Sequence, residues 1–137
     1  MNRETNILSA KMAVKLKVDC LMGCLPECIE PTMKILEGTG IEFFPYIGKI
    51  VGHACQLRGS IEEITKQGKQ AEKKGVDGVD LLAYRYDGNV DHLMSAAISS
   101  LRVPVIEPSA AVPTKQGDDN SLFSAFSRPA GCFVIVL

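Results

Sequence analysis

Apolar and polar residues follow each other along the chain with the periods of helices and of buried strands in turn. The clearest helix is predicted at about 61–74, where Ser60 and Glu63 form a capping box at its start. Apolar positions spaced three and four residues apart predict a second helix at about 89–101. Between them, residues 76–84 are too apolar for a half-exposed strand. They predict a strand covered on both faces, as in a parallel sheet.

The same alternation of helix and strand is found upstream and downstream of this unit. A short helix is predicted at 31–37 before a strand at 41–47, and a helix-like stretch at 9–17 leads into an apolar segment at 18–22. A further strand begins at 103–106. The last three predicted strands start 35 and 27 residues apart. That spacing suits β/α units joined by right-handed crossovers.

This pattern predicts an α/β fold of consecutive parallel β/α units, like part of a (β/α) barrel. The alternative is a flavodoxin-like open sheet of four or five strands. Sequential strand order supports the barrel, whereas a change in order supports the alternative. The repeat region spans 1–107, and 108–137 reads as an irregular C-terminal segment. Because the chain opens in a helix and stops on an apolar run, a truncated or divergent piece of a longer barrel is one hypothesis.

Composition narrows the class of protein. The formal net charge is −1, and no run of Lys or Arg would attract nucleic acid. No segment approaches the ~20 apolar residues that span a bilayer, and the first residues lack the pattern of a signal peptide. Five cysteines, an odd number, suggest reduced thiols. We therefore expect a cytoplasmic protein that binds neither nucleic acid nor membrane.

Candidate site residues are selected by their place after each predicted strand, because functional groups of parallel α/β folds gather at the carboxyl ends of strands. Glu27 follows the first strand and Glu107 the fourth. The residues after the second strand are Lys49 and His53, and those after the third are Tyr84, Arg85 and Asp87.

Three of these candidates have competing interpretations. Lys49 has apolar neighbours, so it can be a Schiff-base nucleophile or a general base, a cation that binds an anion, or a solvated loop lysine. His53 can be a general acid/base or a surface residue. Arg85 can bind a carboxylate or phosphate through its planar fork, or belong to a structural ion pair.

Asp80 is selected for a different reason. It lies in the middle of the predicted strand at 76–84, where an unpaired carboxylate is costly to bury. The side chain must therefore pair inside the sheet or face a polar cavity.

Cys20, Cys24 and Cys28 form a C-x3-C-x3-C run. Three thiols suggest a zinc or iron–sulfur site. However, Gly23 and Pro26 interrupt any helix that would align them, so small buried thiols are favoured. Since the common nucleotide-binding and hydrolase motifs are also absent, no metal or cofactor is predicted.

The stretch from Leu25-Pro26-Glu27 to Val103-Pro104-Val105-Ile106 resembles the middle of a phosphate-binding (β/α) barrel, or TIM barrel. Lys74-Gly75-Val76-Asp77-Gly78-Val79 is similar to helix-to-strand joints of aldolases and isomerases of that class. The resemblance implies the fold more than a reaction and singles out no family. Glu107-Pro108-Ser109-Ala110-Ala111 lacks the glycines that often cradle phosphate in those proteins.

Together these observations suggest a lyase or isomerase that acts on a small anionic or phosphorylated carbonyl metabolite. Its predicted catalytic residues are Lys49, His53, Asp80 and Glu107, and its substrate-binding residues are Tyr84, Arg85 and Glu27. One alternative is a non-catalytic, truncated unit that forms a homo-oligomer by burying its open sheet edges. Another is a small flavodoxin-like binding domain.

Overall fold

A computed structural model describes residues 2–52, 56–107 and the backbone of 134–136. The described helices are α1 (Arg3–Leu16), α2 (Ile29–Leu36), α3 (Ile61–Lys74) and α4 (Val90–Ser100), with short 3-10 helices at Pro26–Cys28 and Ala83–Arg85. The described strands are β1 (Cys20–Met22), β2 (Glu42–Phe44), β3 (Lys49–Val51), β4 (Gln56–Arg58), β5 (Val79–Asp80), β6 (Val105–Ile106) and β7 (Val134–Val136).

Five of these strands lie side by side and parallel. β1 pairs with β2 on one side and with β7 on the other, and β5 pairs with β6. A parallel bridge between Tyr46 and Asp80 joins the two groups, and the Asp80 N–H donates to the Pro45 carbonyl at 2.8 Å. The order is therefore β7-β1-β2-β5-β6. The predicted α/β class with parallel strands is confirmed.

The order of β1, β2, β5 and β6 is sequential along the chain. In a flavodoxin-like sheet the second strand would lie on the far side of the first from the third. That change does not occur among these four strands. The described strands form no closed barrel, because β6 and β7 are at opposite ends of the row.

The two faces of the sheet differ in what covers them. Leu21, Phe43 and Val79 belong to the main core, which contains buried residues from all four helices. Cys20, Met22 and Phe44 form a smaller apolar cluster with Ile106, without any residue of a described helix. Helices therefore pack against one face of the sheet, and the second face has its own apolar layer. The sequence had predicted strands that are covered on both faces.

The predicted helices are confirmed, and their capping explains their limits. The Ser60 hydroxyl accepts a hydrogen bond from the Glu63 N–H at 3.2 Å, and the Glu63 carboxylate accepts from the Ser60 N–H at 2.9 Å. Gly75 ends α3 at φ 91°, where a side chain would be strained. α1 begins six residues before the predicted start, because the Asn2 side chain caps it by accepting from the Thr5 N–H at 2.9 Å.

The strand predicted at 76–84 is shorter than expected. β5 ends at Asp80, and the chain then turns, with the Ala83 N–H donating to the Leu81 carbonyl at 2.8 Å. Leu81, Leu82 and Ala83 are buried because they pack into the core from this turn. Their apolar character therefore extended the predicted strand too far. Asp80 stands at the carboxyl end of the strand, not in its middle.

A hairpin that the sequence did not predict follows β2. β3 and β4 pair antiparallel, with Lys49 opposite Arg58. Gly48 starts the hairpin at φ 89°, and an added Cβ would clash with the side chain of Leu57. Glycine is required there by both backbone and packing.

None of the described helices has the length and apolar character needed to cross a membrane. Most of the predicted C-terminal segment, 108–133 and 137, is outside the described residues. The backbone at 134–136 forms β7, so this part of the segment belongs to the sheet. The domain boundary at 107 stays a prediction.

Candidate functional site

The carboxyl edge of the parallel sheet carries the described candidate residues. Each parallel strand from β1 to β6 is followed there by an element that holds one or more of them: the 3-10 helix with Glu27, the hairpin with Lys49, and the 3-10 helix with Tyr84 and Arg85. Glu107 comes directly after β6. Because the strands are parallel, their carboxyl ends lie at one edge of the sheet, and the residues that follow the strands lie along that edge.

Three candidates form a contact cluster after β5 and β6. The Tyr84 N–H donates to Glu107 Oε1 at 3.0 Å, which joins the ends of the two strands. The Arg85 guanidinium carbon lies 5.1 Å from the centroid of the Tyr84 ring, within the range of a cation–π contact. Tyr84 and Arg85 are exposed, while Glu107 is half-buried. This cluster presents a cation and a carboxylate at the sheet edge.

The hairpin packs beside the loop that follows this cluster. Leu57 forms a parallel bridge with Tyr86, and the Tyr86 hydroxyl donates to the Gly59 carbonyl at 3.1 Å. Arg58 Nε lies 3.9 Å from Asp87 Oδ2, a weak ion pair because both side chains are exposed. Tyr86 and Arg58 thus connect the hairpin with the loop, although sequence patterns did not single them out.

Asp80 is the most unusual group at this edge. It is fully buried, and neither carboxyl oxygen has a hydrogen-bond partner in the described part of the chain. Burial raises the pKa of the Asp80 carboxyl to about 8, because removal from water disfavours the charged form. The raised pKa favours the protonated, neutral form of Asp80 at pH 7. Asp80 does not form an ion pair or a side-chain hydrogen bond with another described residue.

The apolar surroundings of Asp80 follow from the strand pattern. Gly78 lies two residues earlier and so on the same face of β5. A Cβ added to Gly78 would overlap the Phe44 ring, which shows that the ring lies against the sheet at this place. Ile106, the register partner of Asp80, packs on the same apolar cluster as Phe44. The carboxyl therefore shares its face with hydrocarbon groups.

The other predicted site residues are not brought into this cluster by any described contact. Lys49 and Glu27 are exposed, and neither forms an ion pair with another described residue. Exposure removes the apolar surroundings that suggested a nucleophilic role for Lys49. His53 lies outside the described residues.

The three N-terminal cysteines are buried and form no disulfide bond, and they belong to two separate places. Cys20 is part of the small apolar cluster, whereas Cys24 and Cys28 lie in the main core. Cys24 Sγ is 3.4 Å from Thr32 Oγ1, and burial raises the pKa of the Cys24 thiol to about 12. No group of three or more potential metal-ligating side chains occurs within the described ranges.

No protein-family model matches the chain, and no curated protein is similar enough to count as a relative. Geometry and chemistry alone therefore carry the assignment of the site.

Proposed function

We propose that the chain is part of a (β/α)-barrel enzyme of the lyase or isomerase type that moves protons on a small anionic or phosphorylated carbonyl metabolite. The observation that carries this proposal is the buried carboxyl of Asp80 at the end of β5. Strongly shifted carboxyl groups at the carboxyl edge of a parallel sheet are typical of acid–base sites.

Asp80 and Glu107 have the different environments that an acid–base pair needs. Asp80 is fully buried without a partner, whereas Glu107 is half-buried and accepts one hydrogen bond. Glu107 follows Ile106, which is the register partner of Asp80, so the two residues come from neighbouring strand ends. Two carboxyl groups held in contrasting surroundings take the roles of acid and base.

The proposed step is an enolisation. The Glu107 carboxylate removes a proton from the carbon next to the substrate carbonyl. The electron pair of the broken C–H bond forms the C=C bond of the enol, and the π electron pair of the C=O bond moves to the oxygen. Protonated Asp80 donates its proton to that oxygen, which gives a neutral enol. Since Asp80 has no exposed surface, the groups that cover it must move before the substrate reaches it.

Arg85 supplies the anion-binding group in this proposal. Arg85 is exposed, and its guanidinium carbon lies over the Tyr84 ring. A planar guanidinium is the side-chain group best suited to bind a carboxylate or phosphate through two parallel hydrogen bonds. Lys49 on the neighbouring hairpin adds a second positive charge at the same edge. Glu27, two strands away after β1, is the weakest of the proposed substrate contacts.

The sequential order of β1, β2, β5 and β6 supports the barrel interpretation, because consecutive β/α units of a barrel follow each other in this way. The described strands are fewer than a closed barrel needs, so the remaining ring is part of the proposal. Three cysteines without a disulfide bond favour a reducing compartment such as the cytoplasm.

Deuterium exchange tests the proposed chemistry before the overall reaction is known. The purified chain is incubated in D2O with a panel of 2-oxo acids and phosphorylated ketoses, and loss of the proton next to the carbonyl is followed by NMR. We expect the wild-type chain to catalyse this exchange. Glu107→Gln and Asp80→Asn should abolish it, and the exposed control Asp91→Asn should retain it. Exchange with none of the panel, or exchange that both site variants retain, would contradict the proposal.

A covalent role for Lys49 is tested separately. Borohydride is added to the chain with pyruvate, and the adduct is located by mass spectrometry. The enolisation mechanism predicts no adduct on Lys49. A stable adduct that is lost in Lys49→Ala and retained in the exposed control Lys66→Ala would replace that mechanism with Schiff-base chemistry.

A further inference from the structure

Helix α1 carries apolar residues on two opposite faces. Its inner face buries Ala10 and Ala13 against the rest of the fold. On its outer face Leu8, Met12 and Leu16 are 63%, 41% and 59% exposed. These three residues are four positions apart, so they form a continuous row along the helix. We refer to Leu8, Met12 and Leu16 as the outer row.

A helix that faces water normally carries polar residues on its outer face. α3 shows this arrangement, with Glu62, Lys66, Lys69 and Lys73 exposed. On α1, by contrast, the outer row places apolar side chains in water along most of the helix. Contiguous exposed apolar residues of this kind indicate a contact surface.

Charged residues on α1 flank the outer row on one side. With about 100° of rotation per residue, Glu4, Lys11 and Lys15 fall in one narrow sector next to the row. Glu4 stands in the first turn and Lys15 in the last turn. On the same flank, a groove of about 320 Å³ is lined by Arg3, Glu4, Ile7, Leu8 and Lys11. The flank thus carries one acidic residue, Glu4, near the start of the helix and two lysines, Lys11 and Lys15, toward its end.

We propose that α1 packs antiparallel against α1 of a second copy of this chain. A two-fold axis perpendicular to both helices brings the same flank of each together, with opposite ends adjacent. Leu8 then packs against the partner's Met12, and Glu4 lies beside the partner's Lys15. Each pair occurs twice, once for each copy.

The distribution of charge selects a second copy as the occupant. In the antiparallel register the apolar rows meet and Glu4 lies beside the partner's Lys15 at both ends of the interface. The Lys11 residues of the two copies lie near the two-fold axis at the exposed margin, and the groove faces the end of the partner helix that carries Leu16. A parallel pair would place the charged flank against the uncharged flank and leave Glu4 and Lys15 without this partner. A 14-residue helix is short for an interface, so we expect a dissociation constant on the order of micromolar.

Sedimentation equilibrium over a wide concentration range tests the surface. The wild-type chain is expected to reach the dimer mass, and Leu8→Lys is expected to weaken association by at least about 100-fold, because the lost apolar contact occurs twice. Ile98→Lys is the matched control, since Ile98 is 43% exposed on α4 and should leave the dimer intact. Circular dichroism verifies that each variant is folded.

Charge reversal tests the antiparallel register. Glu4→Lys and Lys15→Glu should each weaken the dimer by roughly 3- to 10-fold, and the double variant should recover most of the wild-type affinity. Both single changes also disfavour the helix dipole, but the double variant retains that defect, so recovery reports the contact between copies. A wild-type chain that is monomeric at all concentrations would overturn the proposal. A dimer that survives Leu8→Lys would also overturn it, because association would then use another surface, such as the outer edge of β6. A double variant that does not recover affinity would contradict the antiparallel register.

Discussion

Asp77 lies two residues before β5 and Asp80 is the last residue of that strand, and the environments of the two carboxyl groups differ. At the amino end, exposed Asp77 accepts a hydrogen bond from the Phe43 N–H at 2.9 Å. At the carboxyl end, Asp80 is fully buried and has no hydrogen-bond partner among the described residues. The Asp77 side chain connects the start of the β5 segment to β2 through a hydrogen bond. The Asp80 carboxyl is buried without such a bond, which lowers the stability of the fold.

This difference separates structural from functional use of the same side chain. A satisfied carboxylate at the amino end of a parallel sheet supports the fold. An unsatisfied buried acid lowers the stability of a domain whose total stability is small. Local choices that oppose stability are expected at functional sites. The contrast therefore favours the carboxyl edge as the functional site. Substitution of Asp77 or Asp80 tests whether the two side chains have these different roles.

The largest expected effect is on proton transfer. Asp80→Asn should lower the rate of deuterium exchange in the active substrate by about 10²- to 10⁴-fold, the usual contribution of an acid–base group. Asp77→Asn keeps an acceptor for the Phe43 N–H and should retain a rate within about threefold of wild type. Equal losses in both variants would abolish the distinction between the two ends of the strand.

The second effect is on the pH dependence of stability. Unfolded Asp80 ionises near ~3.9, whereas its folded pKa is about 8, so folding takes up a proton between these values. Because the folded pKa is raised, the contribution of Asp80 to stability is fully present below the unfolded pKa and is lost as the pH rises toward 8. The loss is about 1.4 kcal/mol per pH unit, or about 4 kcal/mol by pH 7.

Urea unfolding measured at several pH values shows this slope directly. Asp80→Asn should remove it, whereas Asp77→Asn should keep it. A wild-type chain that gains stability from pH 4 to pH 8 with the same slope as Asp80→Asn would contradict the predicted protonation of Asp80.

The third effect concerns the glycine between the two aspartates. A Cβ at Gly78 would approach the Pro104 carbonyl oxygen to 2.8 Å and the Phe44 ring more closely still. Gly78→Ala should therefore destabilise the fold by about 1–3 kcal/mol through overpacking. Gly40→Ala is the control, because Gly40 has open space around it and only a positive φ of 75°. Thermal unfolding should show the larger loss of stability for Gly78→Ala. A larger loss for Gly40→Ala would contradict the close packing of the Phe44 ring on the face of β5 that carries Asp80.

The smallest effect is at the amino end. Asp77→Ala leaves the Phe43 N–H without its acceptor and should reduce the free energy of unfolding by about 1–2 kcal/mol. Glu37 lines the same surface pocket as Asp77 and is exposed, so Glu37→Ala should change stability by less than about 0.5 kcal/mol. Equal free energies of unfolding for the two variants in urea would show that the hydrogen bond to Asp77 does not contribute measurably to stability.

Local signals explain which parts of the fold could be predicted from the sequence. The predicted helix at about 61–74 agrees with α3 because local signals mark both of its ends, the capping box of Ser60 and Glu63 at the start and Gly75 after the last turn. The end of β5 was missed because burial of Leu81 to Ala83 comes from a turn into the core and not from an extended strand. The hairpin was missed because its strands have only three residues each, and their pairing depends on tertiary contacts.

The candidate site was predictable in position but not in geometry. Placement after successive strands identified Tyr84 and Glu107, which are 23 residues apart in sequence, but the bond between them depends on the pairing of β5 with β6. A carboxylate within an apolar run identified Asp80. Whether it finds a partner is decided by neighbouring strands, and the sequence carries no local signal for that.

Carbon-13 NMR of the Asp80 carboxyl, assigned by comparison with Asp80→Asn, tests the central claim most directly. Titration of the folded wild-type chain should show this carboxyl protonated at pH 7, with an apparent pKa of about 8 because burial disfavours its charged form. A carboxyl that titrates near the ordinary aspartate value of ~4 would contradict the assignment of Asp80 as a neutral acid, and with it the proposed acid–base pair.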